Sequence, residues 1–142
     1  MTTASTLSLT ELPLLASLPD DILPRLQASA TRRTYEAGQV IALEGDICRE
    51  ALFVAKGLVR IRQLSLEGRE HILAYAGPGS CLNLVSALDG EALPASLEAI
   101  EESVVYALPC GQVRGLLSEF PGFAEAVAMQ LAGENRRLSH MV

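Results

Sequence analysis

The stretch with the most chemistry in its residue types is Gly77-Pro78-Gly79-Ser80-Cys81-Leu82-Asn83-Leu84-Val85-Ser86-Ala87-Leu88-Asp89-Gly90. A strand that stops at Gly77-Pro78-Gly79 and restarts as a short helix would present unpaired backbone N–H groups. Those groups and the helix dipole together favour an anion. The flanking sequence withholds the cation that such an anion would want. No lysine or arginine occurs between Arg69 and Arg114, whereas Glu70, Asp89, Glu91, Glu98, Glu101 and Glu102 all fall in that interval. The pattern predicts a pocket without phosphate partners, lined by Leu82, Asn83, Leu84, Val85, Ser86, Leu93 and Pro94, with Leu131 of a later helix beside it. Such walls suit an apolar or weakly polar ligand, or the same leucines simply fill the interior.

Other chemistry-bearing residues are sparse. His71 shares one side of a strand with Leu73 and Tyr75. Cys48, Cys81 and Cys110 are odd in number and contain no CxxC pair, which fits reduced thiols in a cytoplasmic protein better than a disulfide framework. One of them could sense oxidation if exposed with a lowered pKa; Cys81, in an apolar run, reads as a small buried hydrophobe. Three scattered thiols do not supply an iron–sulfur cluster. No GxSxG elbow, P-loop or HExxH occurs, and His71 and His140 lie too far apart for a metal-dependent barrel enzyme. An enzyme is not expected.

The elements that must position these residues follow from periodicity. Leu12 to Ser17 and Pro19 to Ala28 read as short helices, the second shortened or bent by Pro24. From Thr31 to Leu108, glycines at 38, 45, 57, 68, 77, 79 and 90 punctuate short β-rich runs, as in an all-β barrel or sandwich. The runs are Arg32 to Tyr35, Val40 to Leu43, Ala51 to Ala55, Leu58 to Gln63, Arg69 to Ala76, Ser96 to Ile100 and Ser103 to Leu108. Lys56-Gly57 reads as a hairpin turn and Ser65 to Gly68 as the next. Val59 and Ile61 alternate with Arg60 and Arg62, a strand with one wet face.

Helix returns with Gly111 to Ser118 and a longer element opened by Pro121. In the latter, Ala124, Val127, Leu131, Glu134, Leu138 and Met141 follow heptad spacing. The stripe reads as a homodimer seam through Val127, Leu131, Leu138 and Met141, or as a face packed on the chain's own barrel. Glu134 weakens the seam.

The 142 residues are 49% hydrophobic with a net charge of −6, enough for one core and unsuited to gripping nucleic acid directly. Met1 to Ser8 reads as an unstructured leader without a signal peptide, and no segment reads as a membrane span.

The order of these elements resembles the cyclic-nucleotide-binding-domain fold, and looks most like the sensor half of the cyclic-AMP receptor/fumarate-nitrate regulator (Crp/Fnr) superfamily of transcription regulators. The likeness is carried by Glu44-Gly45-Asp46, the run Leu52 to Ile61, Glu67-Gly68-Arg69-Glu70, Gly77-Pro78-Gly79 and Leu108-Pro109. It implies a mainly β chain with flanking helices, a jelly-roll β-barrel and a long C-terminal helix. The implied organisation is residues 1–120 as the sensor barrel with its N-terminal helices and residues 121–142 as the start of a dimerisation helix. DNA would be bound only through a helix-turn-helix domain absent from this chain, which looks like an isolated sensor domain or a cut piece.

The resemblance also implies departures. The family's cassette carries a Gly-Glu pair for backbone and ribose contacts, and an arginine about ten residues on for the phosphate. Asn83-Leu84 stand at the pair, and Leu93 or Pro94 at the arginine. Losing such charge-assisted contacts weakens binding on the order of a hundredfold or more, so cyclic AMP is not the expected effector. In related gas sensors a histidine near the barrel binds haem iron. Haem on His71, or less readily on His140, is therefore a cofactor the likeness allows. A dimerisation or interaction module with a vestigial pocket is the other class of protein compatible with the same residues.

Overall fold

A computed structural model describes residues 5–139 of the chain. Eight strands run from Thr31 to Pro109: β1 (Thr31–Tyr35), β2 (Val40–Ala42), β3 (Glu50–Lys56), β4 (Val59–Leu64), β5 (Glu70–Ala76), β6 (Cys81–Leu82), β7 (Ser96–Ala99) and β8 (Ser103–Pro109). They form two antiparallel sheets, ordered β1-β8-β3-β6 and β2-β7-β4-β5, which face each other as a jelly roll. Leu52, Val54, Val59, Leu82, Leu97, Val105 and Ala107 fill the interior between them.

Helices cover the outer face of the first sheet. They are α1 (Leu23–Ser29), α2 (Leu84–Asp89), α3 (Cys110–Glu119) and α4 (Pro121–Ser139). Ala51 and Phe53 of β3 point to this side and join Leu12, Leu15, Leu26, Leu108, Val113, Leu116, Phe123 and Val127 in a second core. β3 is thus buried on both faces, which is why Ala51 to Ala55 is a continuous apolar run.

Several expectations change in the details. Lys56-Gly57 is not a hairpin, because β3 and β4 belong to different sheets and the turn carries the chain across the sandwich. The true hairpin joins β4 and β5, closed by hydrogen bonds from the Ser65 N–H to the Arg69 carbonyl and from the Gly68 N–H to the Ser65 carbonyl. Leu12 to Ser17 is not an α-helix; the segment holds one 3-10 turn, Leu15–Ser17, and another, Leu9–Glu11, precedes it. The second helix is shortened rather than bent: a 3-10 turn at Asp20–Ile22 precedes α1, and Pro24 occupies the first turn of α1, where no N–H partner is lost. The leader is engaged within its described part: the Leu7 N–H donates to the Ala55 carbonyl, at the irregular point of the β3–β8 ladder.

Candidate functional site

The segment after β5 is built by its backbone hydrogen bonds. The Gly79 N–H donates to the Val54 carbonyl, the Val54 N–H to the Ser80 carbonyl and the Ser80 N–H to the Gly77 carbonyl. The glycine turn therefore commits its donors to β3 and to itself, and a two-residue strand, β6, follows it before any helix begins. The expected anion cradle at this turn is overturned for that reason. The helix comes later, is six residues long, and starts at a corner formed by Asn83 at φ 65° and ψ 18°. Asparagine is among the few residues with a side chain that accept this left-handed conformation, which a glycine adopts freely. Asn83 stands in this corner where the resemblance leads one to expect a glycine.

At the far end of α2, the Arg114 guanidinium of α3 donates to the Ala87 carbonyl at 2.8 Å, and Ser86 Oγ donates to the Ala92 carbonyl at 3.0 Å. The Glu44-Gly45-Asp46 motif has a structural role. The Gly45 N–H bonds the Leu93 carbonyl, the Leu93 N–H bonds the Asp46 carbonyl, and the Glu44 carboxylate accepts from the Leu64 N–H. These bonds fix the chain that runs from α2 into β7.

A cavity of about 190 Å³ opens beside Asn83. Leu82, Asn83, Leu84, Val85, Ser86 and Pro94 line it, together with Cys81, Ala95, Leu97, Ile61, Gln63, Leu73 and Ala74. Two candidates fall elsewhere. Leu93 turns to the other side of the corner, where it lines a shallow groove of about 550 Å³ together with Arg33, Asp46, Cys48, Arg49, Glu50 and Asn83. Leu131 packs against the helical core instead. Three lining residues come from α4 and were not foreseen there: Glu134, Arg137 and Leu138.

Arg137 corrects the reading that the pocket has no cation. Its distance along the chain hid it from any local scan, and only the docking of α4 brings it to the cavity. Glu134 was visible as a charge misplaced in an apolar stripe. The structure gives that charge a position at the cavity, with Gln130 Nε2 3.4 Å from its carboxylate.

The dimer stripe divides. Val127 is 2% exposed within its own chain and has no surface left for a second copy, so that expectation is corrected. Leu131 is partly buried on the same core, whereas Leu138 is exposed and Met129, outside the stripe, more so. Met141, like His140, lies outside the described residues.

His71 is exposed on β5 and lines neither cavity, so a haem held by it would lie at the surface. Among the described residues the cavity beside Asn83 offers haem iron no histidine, and its Cys81 thiol is pushed well up by complete burial and, secondarily, by Glu134. These residues do not fit a haem site. Among the described residues no cluster of three or more His, Cys, Asp or Glu could hold a metal ion, and no helix is long and apolar enough to cross a membrane.

The sequence profile of the cyclic nucleotide-binding domain matches residues 32–120. A protein of Thermus thermophilus named cyclic AMP receptor protein is 35% identical over 101 residues, covering 71% of this chain and 47% of its own length. The crystal structure of the Thermus thermophilus catabolite activator protein superposes with a TM-score of 0.79 at 30% identity, over 91% of this chain and 61% of that one. The sensor domain of the transcriptional regulator DNR from Pseudomonas aeruginosa gives a TM-score of 0.79 at 19% identity, covering 94% and 90%, a likeness of fold. The chain spans about half the length of the curated relative it matches. These relatives bear the names of regulators rather than of enzymes.

Proposed function

The chain belongs to the cyclic nucleotide-binding domain family, as a sensor domain of the Crp/Fnr superfamily, and from that premise we propose that its effector is not a cyclic nucleotide. The observation that carries this reading is at the cassette itself. Asn83 turns the chain in a left-handed corner, Leu84 is 2% exposed where a carboxylate is expected, and Pro94 or Leu93 stands where the phosphate arginine is expected. Among the described residues, Glu134 and Arg137 are the charged side chains that reach the cavity, and both belong to α4. At about 190 Å³ the cavity is smaller than the roughly 300–1,000 Å³ usual for ligand pockets. Its effector is small and largely apolar, with one polar end for Arg137 or Gln63.

Because α4 supplies cavity residues and an exposed far half, occupation of the cavity biases the position of that half. Through it a second copy docks, using Leu138 rather than Val127. In the complete regulator, α4 passes the bias to a DNA-binding domain, in the cytoplasm. Organisation as a sensor over residues 1–120 and a helix that couples to it over residues 121–142 belongs to the same reading.

Isothermal calorimetry tests the effector claim. Cyclic AMP at about 100 μM should give no saturable heat, and uptake with a Kd on the order of 1 μM, about −8 kcal/mol, would overturn it. Sedimentation equilibrium tests the coupling helix, with a dimer expected for the unaltered chain and a monomer for Leu138→Glu. A monomer in both cases removes the dimer claim.

A further inference from the structure

Cys48 and Cys110 lie 62 positions apart in sequence, yet their sulfurs are 3.5 Å apart. The two elements that hold them are rigidly registered. Glu50 of β3 faces Pro109 of β8, and one step beyond, the Cys110 N–H donates to the Arg49 carbonyl at 3.1 Å. Cys110, the first residue of α3, is 7% exposed, whereas Cys48 is half-buried and lines the shallow groove, so small solutes reach Cys48 first. Each sulfur also has a backbone carbonyl near it. Cys48 Sγ lies 3.5 Å from the Glu50 carbonyl and 3.9 Å from the Asn83 carbonyl, and Cys110 Sγ lies 3.7 Å from the Cys48 carbonyl.

We propose that Cys48 and Cys110 are a thiol pair that a hydroperoxide converts to a reversible intramolecular disulfide beside the Asn83 corner. Two steps balance the atoms and electrons. The Cys48 thiolate attacks one oxygen of the hydroperoxide, an S–O bond forms, the O–O bond breaks, and the alcohol or water leaves with a proton. The Cys110 thiolate then attacks the sulfenic sulfur, an S–S bond forms, the S–O bond breaks, and hydroxide leaves as water with the remaining proton. Two electrons pass from the sulfurs to the peroxide. Closing from 3.5 Å to the roughly 2.05 Å of a disulfide requires the sulfurs to approach by about 1.5 Å.

Oxidation removes both S–H groups, so the contact from Cys48 to the Asn83 carbonyl is lost as a hydrogen bond. Asn83 borders the groove and the cavity alike, which places the covalent change next to the ligand site. Burial pushes the Cys48 thiol up to about 11, reinforced by Cys110 and opposed by the Glu50 backbone and by Arg114. Arg33, Asp46, Arg49 and Glu50 are the other charged groups around the groove. The thiolate fraction is therefore small at neutral pH, and the oxidation rate rises about tenfold per pH unit towards that value. Sustained peroxide, rather than a brief pulse, is what the pair responds to.

The test is made on the unaltered chain treated with hydrogen peroxide, then denatured and alkylated. Of its three thiols one should remain, the mass before alkylation should fall by two hydrogen atoms, the chain should run as a monomer without reductant, and dithiothreitol should restore all three. Peptide mapping should join Cys48 to Cys110. Cys48→Ser should retain both other thiols, Cys110→Ser should stop at a singly oxidised Cys48, and Cys81→Ala should behave as the unaltered chain. The proposal is overturned if three thiols persist, if Cys48 gains oxygen without loss of Cys110, if the link joins two chains, or if it involves Cys81. Because mapping is done on the unaltered chain, a variant that fails to fold leaves that result standing.

Discussion

Gly57→Ala is expected to destabilise the fold by about 2–5 kcal/mol, a large share of the roughly 5–15 kcal/mol that holds a domain together. Two independent costs meet at this residue. Its φ of +96° is a conformation that side chains rarely adopt, worth about 1–2 kcal/mol of strain. An added Cβ would also come within 2.5 Å of the Glu102 carbonyl oxygen and 2.7 Å of Ser103 Cα, both backbone atoms that a rotamer change cannot move. Overpacking of this kind costs about 1–3 kcal/mol more. The turn has no room to give, because Ser103 Oγ also accepts from the Leu58 N–H and donates to the Glu101 carbonyl. Urea titration should show the midpoint falling by about 2 M. Gly68→Ala is the control, since its φ of +81° carries the strain without any atom near the added Cβ, and about 1 kcal/mol is expected there. Equal losses at the two positions would mean that the crossing between sheets is loose enough to absorb the clash.

Gly57 also shows where local reading ends. A glycine after an apolar strand predicts a tight turn, and a tight turn is present. Whether the next strand pairs with the last or crosses to the facing sheet depends on partners some forty residues downstream, and no short window contains them. The strands themselves were legible because alternation and glycine spacing report burial directly, as in Val59 to Leu64. The two-residue β6 was not, since two residues carry no period. At the site, Leu82 to Ser86 and Pro94 were legible as neighbours along the chain. Leu93 escaped because one residue of rotation along an extended segment reverses the side it faces. Arg137 escaped because helix docking, not sequence distance, sets its place. The cysteine pair was hidden likewise, as Cys48 and Cys110 meet only through the β3–β8 register.

The heptad stripe of α4 leads to the second large effect. Phe123→Ala should cost about 3–5 kcal/mol, whereas Leu138→Ala should change stability by less than about 0.5 kcal/mol. Both residues are large and apolar and lie on one helix, so propensity cannot separate them. Phe123 is fully buried among Leu12, Leu15, Leu116 and their neighbours, with Val127 one turn on, while Leu138 is 40% exposed. Removing the Phe123 ring opens a cavity at the place where α4 first meets the barrel. The loss should therefore appear both in the urea midpoint and as faster hydrogen exchange along α4, ahead of exchange in β3 and β8. A uniform rise in exchange across the chain would mean that α4 and the barrel unfold as one unit, and that helix position cannot report on the cavity. A larger cost at Leu138 than at Phe123 would place the anchor at the far end, and with it the surface offered to a partner. The proposed coupling of effector to helix would depend on a physical asymmetry: one half of α4 is fastened by the buried Phe123 and Val127, and the other half carries Glu134, Arg137 and Leu138 at the cavity wall.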